Sequence, residues 1–318
     1  GARLSLWLRK QRVRLLHCNQ TRAALQAGPA GRLAGIPVVW VSRSRDTLPR
    51  LATRLGAWCS DAVVSLSPTC LEDFEGVEIL RDKSIEIPLG IDTGRFCPQP
   101  DAPVPDGLGI TRGQPVVTMV GALHPRKRHD VLVEAAPEIV RRVPAVRILI
   151  VGGEIEDGDG DYAPRLRARV KELGVEDSVC FTGRRSDVPA ILRMSGAFVL
   201  PSDREGLPGA VVEAMATELA TIVTPAAAAP VIDGETGLVV AEGDPAALAD
   251  ATARVLIDRD MAERMGTAGR ERAREHYSLE TMVPRYVELY ERLLGGFPNS
   301  GPVDATDLFS GGSRASRS

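Results

Sequence analysis

From Pro115 onward, short β-branched runs alternate with stretches whose apolar residues recur every three or four positions. The runs predict strands at Val116–Val120, Val146–Val151, Val179–Phe181, Ala197–Leu200, Thr221–Val223 and Leu238–Val240. Between them the helical period predicts helices near Asp130–Arg142, Tyr162–Leu173, Val188–Met194, Ala210–Glu218 and Pro245–Ile257. Strand and helix in alternation build βαβ units, hence a parallel sheet covered on both faces. Glu263–Glu275 and Leu279–Leu294 read as two further helices with no strand between them. Before Pro115 the pattern is thinner: Ile36–Val41, Ala62–Leu66 and Ile85–Ile87 read as strands, with Leu15–His17 as a candidate fourth. The segment Pro98–Gly113, rich in proline and glycine, reads as an interdomain linker.

The expected architecture is therefore α/β, with two Rossmann-like domains in tandem facing a cleft. Residues 1–105 form the first domain, 106–275 the second, and 276–294 a helix that is a candidate to return to the first. The tail 295–318, Gly/Ser-rich and without a period, is expected to be disordered. So few strands make a short first half, so that domain is expected to be incomplete at its N-terminus, with Gly1 an interior point of a longer protein. Domain pairs of this class bind ligands at the carboxyl ends of their strands.

Composition changes the picture little, and charge changes it more. The chain has 318 residues, 44% of them hydrophobic and 25% charged, which is ordinary for a globular protein. No uninterrupted apolar run approaches the roughly 18 residues of a helical membrane span. A net charge of −3 argues against a general nucleic-acid binder. The charge is segregated, however, with nine Lys or Arg and no acid before Asp46. The stretch Ala2–Leu16 mixes leucines and Trp7 with five cations, as would a basic amphipathic helix resting on an anionic membrane surface. Its ordinary alternative is a domain helix with a solvated basic face. Cys18, Cys59, Cys70, Cys97 and Cys180 are odd in number and contain no C-x-x-C pair, which excludes a disulfide framework and suits a reducing cytoplasm.

The chemistry concentrates in Pro201–Ala216, which follows an apolar strand, turns through Gly206, Pro208 and Gly209, and opens a helix. Backbone N–H groups and the positive end of a helix dipole converge there, a site suited to phosphate. Two acids bracket it, Glu205 in the turn and Glu213 in the helix. An acid beside a phosphate site accepts hydrogen bonds from hydroxyls, as on a ribose or a sugar. Each glutamate alone is more simply a surface or helix-favouring residue. Arg126-Lys127-Arg128 precedes a helix near Asp130, where cations are disfavoured unless an anion compensates.

The spacing from Glu205 to Glu213 resembles the E-x7-E motif of retaining GT-B glycosyltransferases, in particular glycosyltransferase family 4. Ile87-Pro88-Leu89-Gly90-Ile91-Asp92 with Arg95-Phe96 and Pro98 resembles that family's segment at the end of the first domain. Val120-Gly121-Ala122-Leu123-His124-Pro125-Arg126-Lys127 resembles its glycine loop and phosphate-binding lysine, and Phe181-Thr182-Gly183 and Asp233–Leu238 match in order. The resemblance covers roughly Gly35 to Leu294 and implies a GT-B-like fold. It also implies a metal-independent transferase moving a sugar, with retention, from a UDP- or GDP-sugar to a glycan or lipid-linked acceptor, as in polysaccharide biosynthesis. Glu213 would hold the ribose hydroxyls and Glu205 the transferred sugar. Lys127 and the amides near Gly206 and Leu207 would neutralise the leaving diphosphate, and Gly121 and Gly183 would line the donor site. The implied location is cytoplasmic, peripheral on the inner membrane face. No cofactor or resident metal is implied.

The chain also departs from the family. Ala122 stands where many relatives carry Arg, with Arg184 or Arg185 as candidate replacement charge. Val38–Asp46 lacks a histidine, and Ala226–Ala229 replaces a stretch that carries an acid. These departures favour, as one alternative, a non-catalytic remnant that binds a nucleotide sugar or is merely structural; a second alternative is another GT-B-like enzyme, an epimerase or phosphorylase. Glu156–Asp161 contains D-x-D twice, but a calcium-loop frame begun at Asp157 puts Ala168 at its last ligand position, so a solvated loop is the expectation. No G-x-G-x-x-G follows Val151-Gly152-Gly153, which argues against a dinucleotide oxidoreductase.

Overall fold

The computed structural model describes residues 1–43, 49–68, 70, 83–99, 103–155 and 160–295. The chain divides into two compact units: Gly1–Gly90 with the residues from Leu279 onward, and Ile91–Ser278. In the first, α1 (Ala2–Lys10), β1 (Leu16–Cys18), α2 (Thr21–Ala34), β2 (Val38–Ser42), α3 (Arg50–Cys59), β3 (Ala62–Ser65) and β4 (Ser84–Glu86) follow in order. The strands form a parallel sheet, β1-β2-β3-β4, with His17 opposite Val39 and Trp40 opposite Val63. β2 and β3 are buried along their whole length, as inner strands of a helix-covered parallel sheet are, and so they read as unbroken apolar runs. Trp40 packs there with Cys18, Ala24, Val38, Ala57 and Val63.

The amphipathic stretch expected over Ala2–Leu16 is shorter in the structure. α1 stops at Lys10, and Arg12, at a left-handed φ of 54°, turns the chain toward β1. Leu4, Leu8, Val13 and Leu16 pack inward with Ala30 and Ile36, so only part of the apolar set remains outside.

The second unit contains β5 (Val116–Val120), α4 (His129–Arg142), β6 (Arg147–Val151), α5 (Tyr162–Glu172), β7 (Val179–Gly183), α6 (Val188–Arg193), β8 (Ala197–Leu200) and α7 (Gly209–Ala216). It continues through β9 (Thr221–Val223), β10 (Gly237–Val239), α8 (Pro245–Ile257) and α9 (Arg259–His276). Its sheet is parallel, in the order β10-β9-β8-β5-β6-β7. Succession runs one way from β5 and the other way from β8. Where adjacent strands send their connections in opposite directions, a crevice opens outside their carboxyl ends. α10 (Leu279–Leu293) belongs to the first unit, where the Gly90 N–H points at Met282 Sδ (3.1 Å) and Tyr290 Oη lies 2.7 Å from His17 Nδ1.

The segment read as a linker behaves differently. Leu108 is buried among Val116, Leu149, Val151 and Ile191, with Ile110 packed beside it. Arg193 donates to the carbonyls of Arg95 (2.8 Å) and Cys97 (2.9 Å), and Arg185 donates to that of Asp106 (3.2 Å). Proline and glycine withhold regular hydrogen bonding from this stretch without withholding side-chain packing, so it forms a strap on the second unit. The two compact units accordingly divide after Gly90. The tail expected to be disordered lies, from residue 296, outside the described residues.

Candidate functional site

β5 and β8 are neighbours at the switch in strand order, and the loops leaving them carry most of the expected site residues. β5 leaves the sheet through Gly121, whose N–H donates to the Val151 carbonyl (2.9 Å), and the Leu123 N–H donates to that of Gly153 (2.9 Å). Gly152 lies so close that a Cβ, had it one, would stand 1.8 Å from the Gly121 oxygen. Only glycine fits there. On its other side, the Gly152 N–H donates to the carbonyl of Gly183 (3.0 Å), itself at φ 69°. The glycines ending β5, β6 and β7 thus pack backbone to backbone, and Gly121 and Gly183 belong to one wall.

Beyond the turn, Pro125–Lys127 makes a single 3-10 turn capped by His124, and Arg128 reverses the chain at φ 53° into α4. That reversal folds Lys127 back over Gly121. Its side-chain carbons lie 3.6 Å from where a Gly121 Cβ would stand, and Nζ meets Glu205 Oε1 at 2.6 Å. Both side chains are largely shielded, 28% and 12% exposed respectively. The Asp203 N–H donates to the Arg126 carbonyl (3.1 Å), so the β5 and β8 loops are joined through backbone as well. Arg128 is neutralised by Asp130 at 3.0 Å, and the hydrogen bond raises its pKa. Arg185 is similarly held by Asp187 at 2.6 Å, whereas the stem of Arg184 lies across Gly153, beside the turn that contains Ala122.

The second half of the site follows Leu200. Pro208 precedes α7 without a side-chain cap, leaving first-turn amides to other partners, and Leu207 is buried beneath the turn at Gly206. Glu213, in the second turn of α7, is half-buried. Burial pushes its carboxyl up to about 7, against the pull of Arg95. The structure thus joins Gly121, Lys127 and Glu205 directly and Gly183 through Gly152, and it gives Glu213 a separate, desolvated setting.

Two residues were not singled out in the sequence. His129, the first residue of α4, is fully buried, packs edge-on against Tyr162 (6.0 Å between ring centres), and completes no hydrogen bond of good geometry among the described residues. Burial, and then Lys127, lower its pKa to about 4, which keeps the imidazole neutral beside the Gly121 carbonyl. Ser202 is buried with its hydroxyl unpaired among the described residues. A lone histidine at a helix start carries no sequence signal, but Gly152-Gly153 after an apolar strand could have signalled the close approach. Of the acidic run set aside above, Glu156–Asp159 lie outside the described residues, among which no cluster of His, Cys, Asp or Glu could hold a metal. No helix among them is long and apolar enough to cross a membrane.

The sequence profile described as Glycosyl transferases group 1 matches residues 104–272, and that of Glycosyltransferase Family 4 matches residues 1–95. A GDP-mannose-dependent alpha-(1-6)-phosphatidylinositol monomannoside mannosyltransferase of Mycolicibacterium smegmatis is 36% identical over 64% of this chain and 55% of its own length. A GDP-mannose-dependent monoacylated alpha-(1-6)-phosphatidylinositol monomannoside mannosyltransferase of Corynebacterium glutamicum is 28% identical over 84% of this chain and 72% of its own. The chain therefore spans a little over half the length of the first of these relatives. Among solved structures, Anabaena HepE in complex with UDP and glucose superposes with a TM-score of 0.81 at 19% identity, over 91% of this chain and 81% of its own. Sucrose-phosphate synthase of Thermosynechococcus elongatus does so at 0.77 and 24%, over 91% and 76%. The fold is GT-B-like.

Proposed function

Because the chain belongs to the glycosyl transferases group 1 family (glycosyltransferase family 4), we propose that its second unit binds a nucleoside-diphosphate sugar and that the protein transfers the sugar, with retention, to a glycan or lipid-linked acceptor. The observation that carries this reading is the Lys127–Glu205 pair, held over the Gly121 turn at the switch between β5 and β8. The two charges satisfy one another. An arriving diphosphate competes for Lys127, and Glu205 is released to accept hydrogen bonds from the hydroxyls of the sugar. Amides near Gly206 and Leu207 share the negative charge that develops on the departing diphosphate, a stabilisation fixed before the reaction begins. Glu213, ionised, accepts both ribose hydroxyls. Gly121 and Gly183 let the ligand approach backbone.

Lys127 and amides take the place a divalent cation would have at the diphosphate, so donor binding and turnover should survive EDTA. A strict requirement for added Mg2+ or Mn2+ would refute that part. The relatives' names make GDP-mannose the first donor to try, with UDP-sugars beside it. A thermal-shift panel of nucleotides and nucleotide sugars identifies the donor, since a ligand of the folded state raises its melting temperature. Product analysis with a glycolipid or soluble acceptor then tests transfer. Binding without transfer would favour the second reading, a nucleotide-sugar-binding protein, which the apolar turn at Pro225–Ala227 after β9 supports. No stabilisation by any nucleotide would remove the proposal.

A further inference from the structure

The turn that brings Lys127 over Gly121 needs a backbone conformation that its sequence does not favour. Arg128 reverses the chain at φ 53°, in the left-handed region, where glycine is at ease and a residue with a Cβ is not. Among the described residues only Arg12 and Glu218 share that condition outside glycine. An arginine left to itself would relax to right-handed or extended backbone, and Lys127, one residue earlier, would leave Gly121.

Asp130 opposes that relaxation. Its carboxylate accepts from the Arg128 guanidinium at both oxygens, with Nε 3.2 Å from each and Nη2 3.0 Å from Oδ2. A bond between side chains two positions apart closes a short ring, so Arg128 and the start of α4 can move only together. Upstream, the Asp203 N–H holds the Arg126 carbonyl, and His124 caps the 3-10 turn. With both flanks anchored, the left-handed φ is what joins them. Tyr162 of α5 donates to the same carboxylate (Oη to Oδ1, 3.2 Å) and lies edge-on against His129, whose ring stands beside the Gly121 carbonyl. Burial, and then the Asp130 charge, push the pKa of the Tyr162 hydroxyl up, which keeps it a donor. An acid in the first turn of α4 also suits the helix dipole. The dipole alone, however, asks for neither a left-handed arginine nor a tyrosine from the next helix. The pair is partly exposed, Arg128 31% and Asp130 44%, so its worth to global stability is small and its effect is local.

We propose that Asp130 is a positioning residue for Lys127: by clamping Arg128 and accepting from Tyr162, it holds the left-handed turn that places the Lys127 ammonium at the diphosphate site. What Lys127 binds is taken from the donor reading; where Lys127 is held is not.

Arg128→Ala keeps a Cβ and removes the clamp, whereas Arg128→Gly removes the clamp together with the need for it. One left-handed residue with a Cβ is worth about a factor of ten in an equilibrium. Asp130→Asn and Arg128→Ala should therefore each weaken binding of GDP or UDP, whichever the wild type takes, roughly tenfold. The corresponding nucleoside should bind as before, because Lys127 meets only the diphosphate. Arg128→Gly should recover most of the loss, and adding Asp130→Asn to it should lower affinity no further. A role in the helix dipole alone would instead make Asp130→Asn cost the same in both backgrounds and would weaken nucleoside and nucleotide alike.

A second readout uses no nucleotide. The chain has four lysines, Lys10, Lys83, Lys127 and Lys171, so a brief pulse of acetic anhydride followed by peptide mass spectrometry follows Lys127 individually. Paired with Glu205 and shielded, Lys127 should acylate more slowly than the exposed Lys171 in the wild type. Asp130→Asn and Arg128→Ala should raise its rate several times over, Arg128→Gly should not, and the other three lysines should keep theirs. Three results would overturn the proposal: Arg128→Gly binding as poorly as Arg128→Ala, Asp130→Asn costing as much affinity with Arg128→Gly as without it, or Lys127 acylating at the wild-type rate in both clamp variants. A wild type that binds neither GDP nor UDP removes the donor reading, and the acylation rates then decide the positioning role by themselves.

Discussion

Replacing Glu213 by Gln removes a carboxyl that burial pushes from 4.5 to about 7. A folded-state pKa above the unfolded value means that the folded protein keeps a proton the unfolded chain has already released. The group's contribution to stability therefore falls as pH rises from about 4.5 to about 7, and stays low above that. At 1.36 kcal/mol per pKa unit the fall approaches about 3 kcal/mol. Solvent at the residue's open side reduces this to roughly 2 kcal/mol. Gln is neutral throughout, so between pH 5 and pH 8 the wild type should lose about 2 kcal/mol relative to Glu213→Gln, read from urea unfolding. The same carboxyl should govern donor binding with the opposite slope. With a pKa about 7, its ionised fraction rises from about a tenth at pH 6 to nine-tenths at pH 8, so affinity for a nucleotide sugar should rise about tenfold and then level off. A nucleotide sugar is the right probe because its diphosphate, esterified at both ends, has no proton to lose in this range. In Glu213→Gln the affinity should be flat with pH and weaker by roughly 1.5–3 kcal/mol, the worth of hydrogen bonds to a charged group. Parallel stability curves, together with pH-independent affinity in both proteins, would refute the desolvated ribose-binding carboxylate.

Lys127→Ala should weaken nucleoside diphosphate binding far more than nucleoside binding and lower the melting temperature, because Glu205 is left shielded and unpaired; adding Glu205→Gln should recover stability but not affinity, and full additivity in that cycle would argue against the pair. Gly152→Ala puts a Cβ 1.8 Å from the Gly121 oxygen, so the β5 turn must move. The expected cost is about 3 kcal/mol in thermal unfolding, with loss of donor binding; wild-type affinity would show that the glycine wall is not the ligand's. Leu108→Ala should cost about 2–5 kcal/mol as a core truncation, whereas in a true linker it would cost nearly nothing.

The second unit was legible because its strands are buried on both faces. Val116–Val120, Ala197–Leu200 and Thr221–Val223 announce themselves as apolar runs and end where the runs end. The strap over residues 91–99 and 103–113 was not legible, because its buried Ile91, Phe96 and Leu108, unevenly spaced in irregular backbone, have no period to detect. α1 was overextended for a related reason. Val13, Leu15 and Leu16 continue the apolar content past Lys10, and nothing local says that Arg12 takes a left-handed φ.

Two oddities in the sequence remained separate until the fold joined them. A lysine in a basic cluster at a helix start stands against the helix dipole, and a glutamate in a turn fit for phosphate stands against the anion that the turn would bind. Residues 78 positions apart leave no pairing signal in one sequence, so each could be read only as a departure needing an external partner. The strand order supplies the partner. β5 and β8 are adjacent although β6 and β7 intervene in the chain, and their loops bring Lys127 Nζ to 2.6 Å from Glu205. Each charge thereby offsets the other, which is why both can be kept in place. A ligand that carries an anionic diphosphate next to a hydroxyl-rich ring offers each of them a replacement partner at once. That match between the two halves of a charge pair and the two halves of a nucleotide sugar is the physical support for the proposed places of Lys127 at the diphosphate and Glu205 at the sugar.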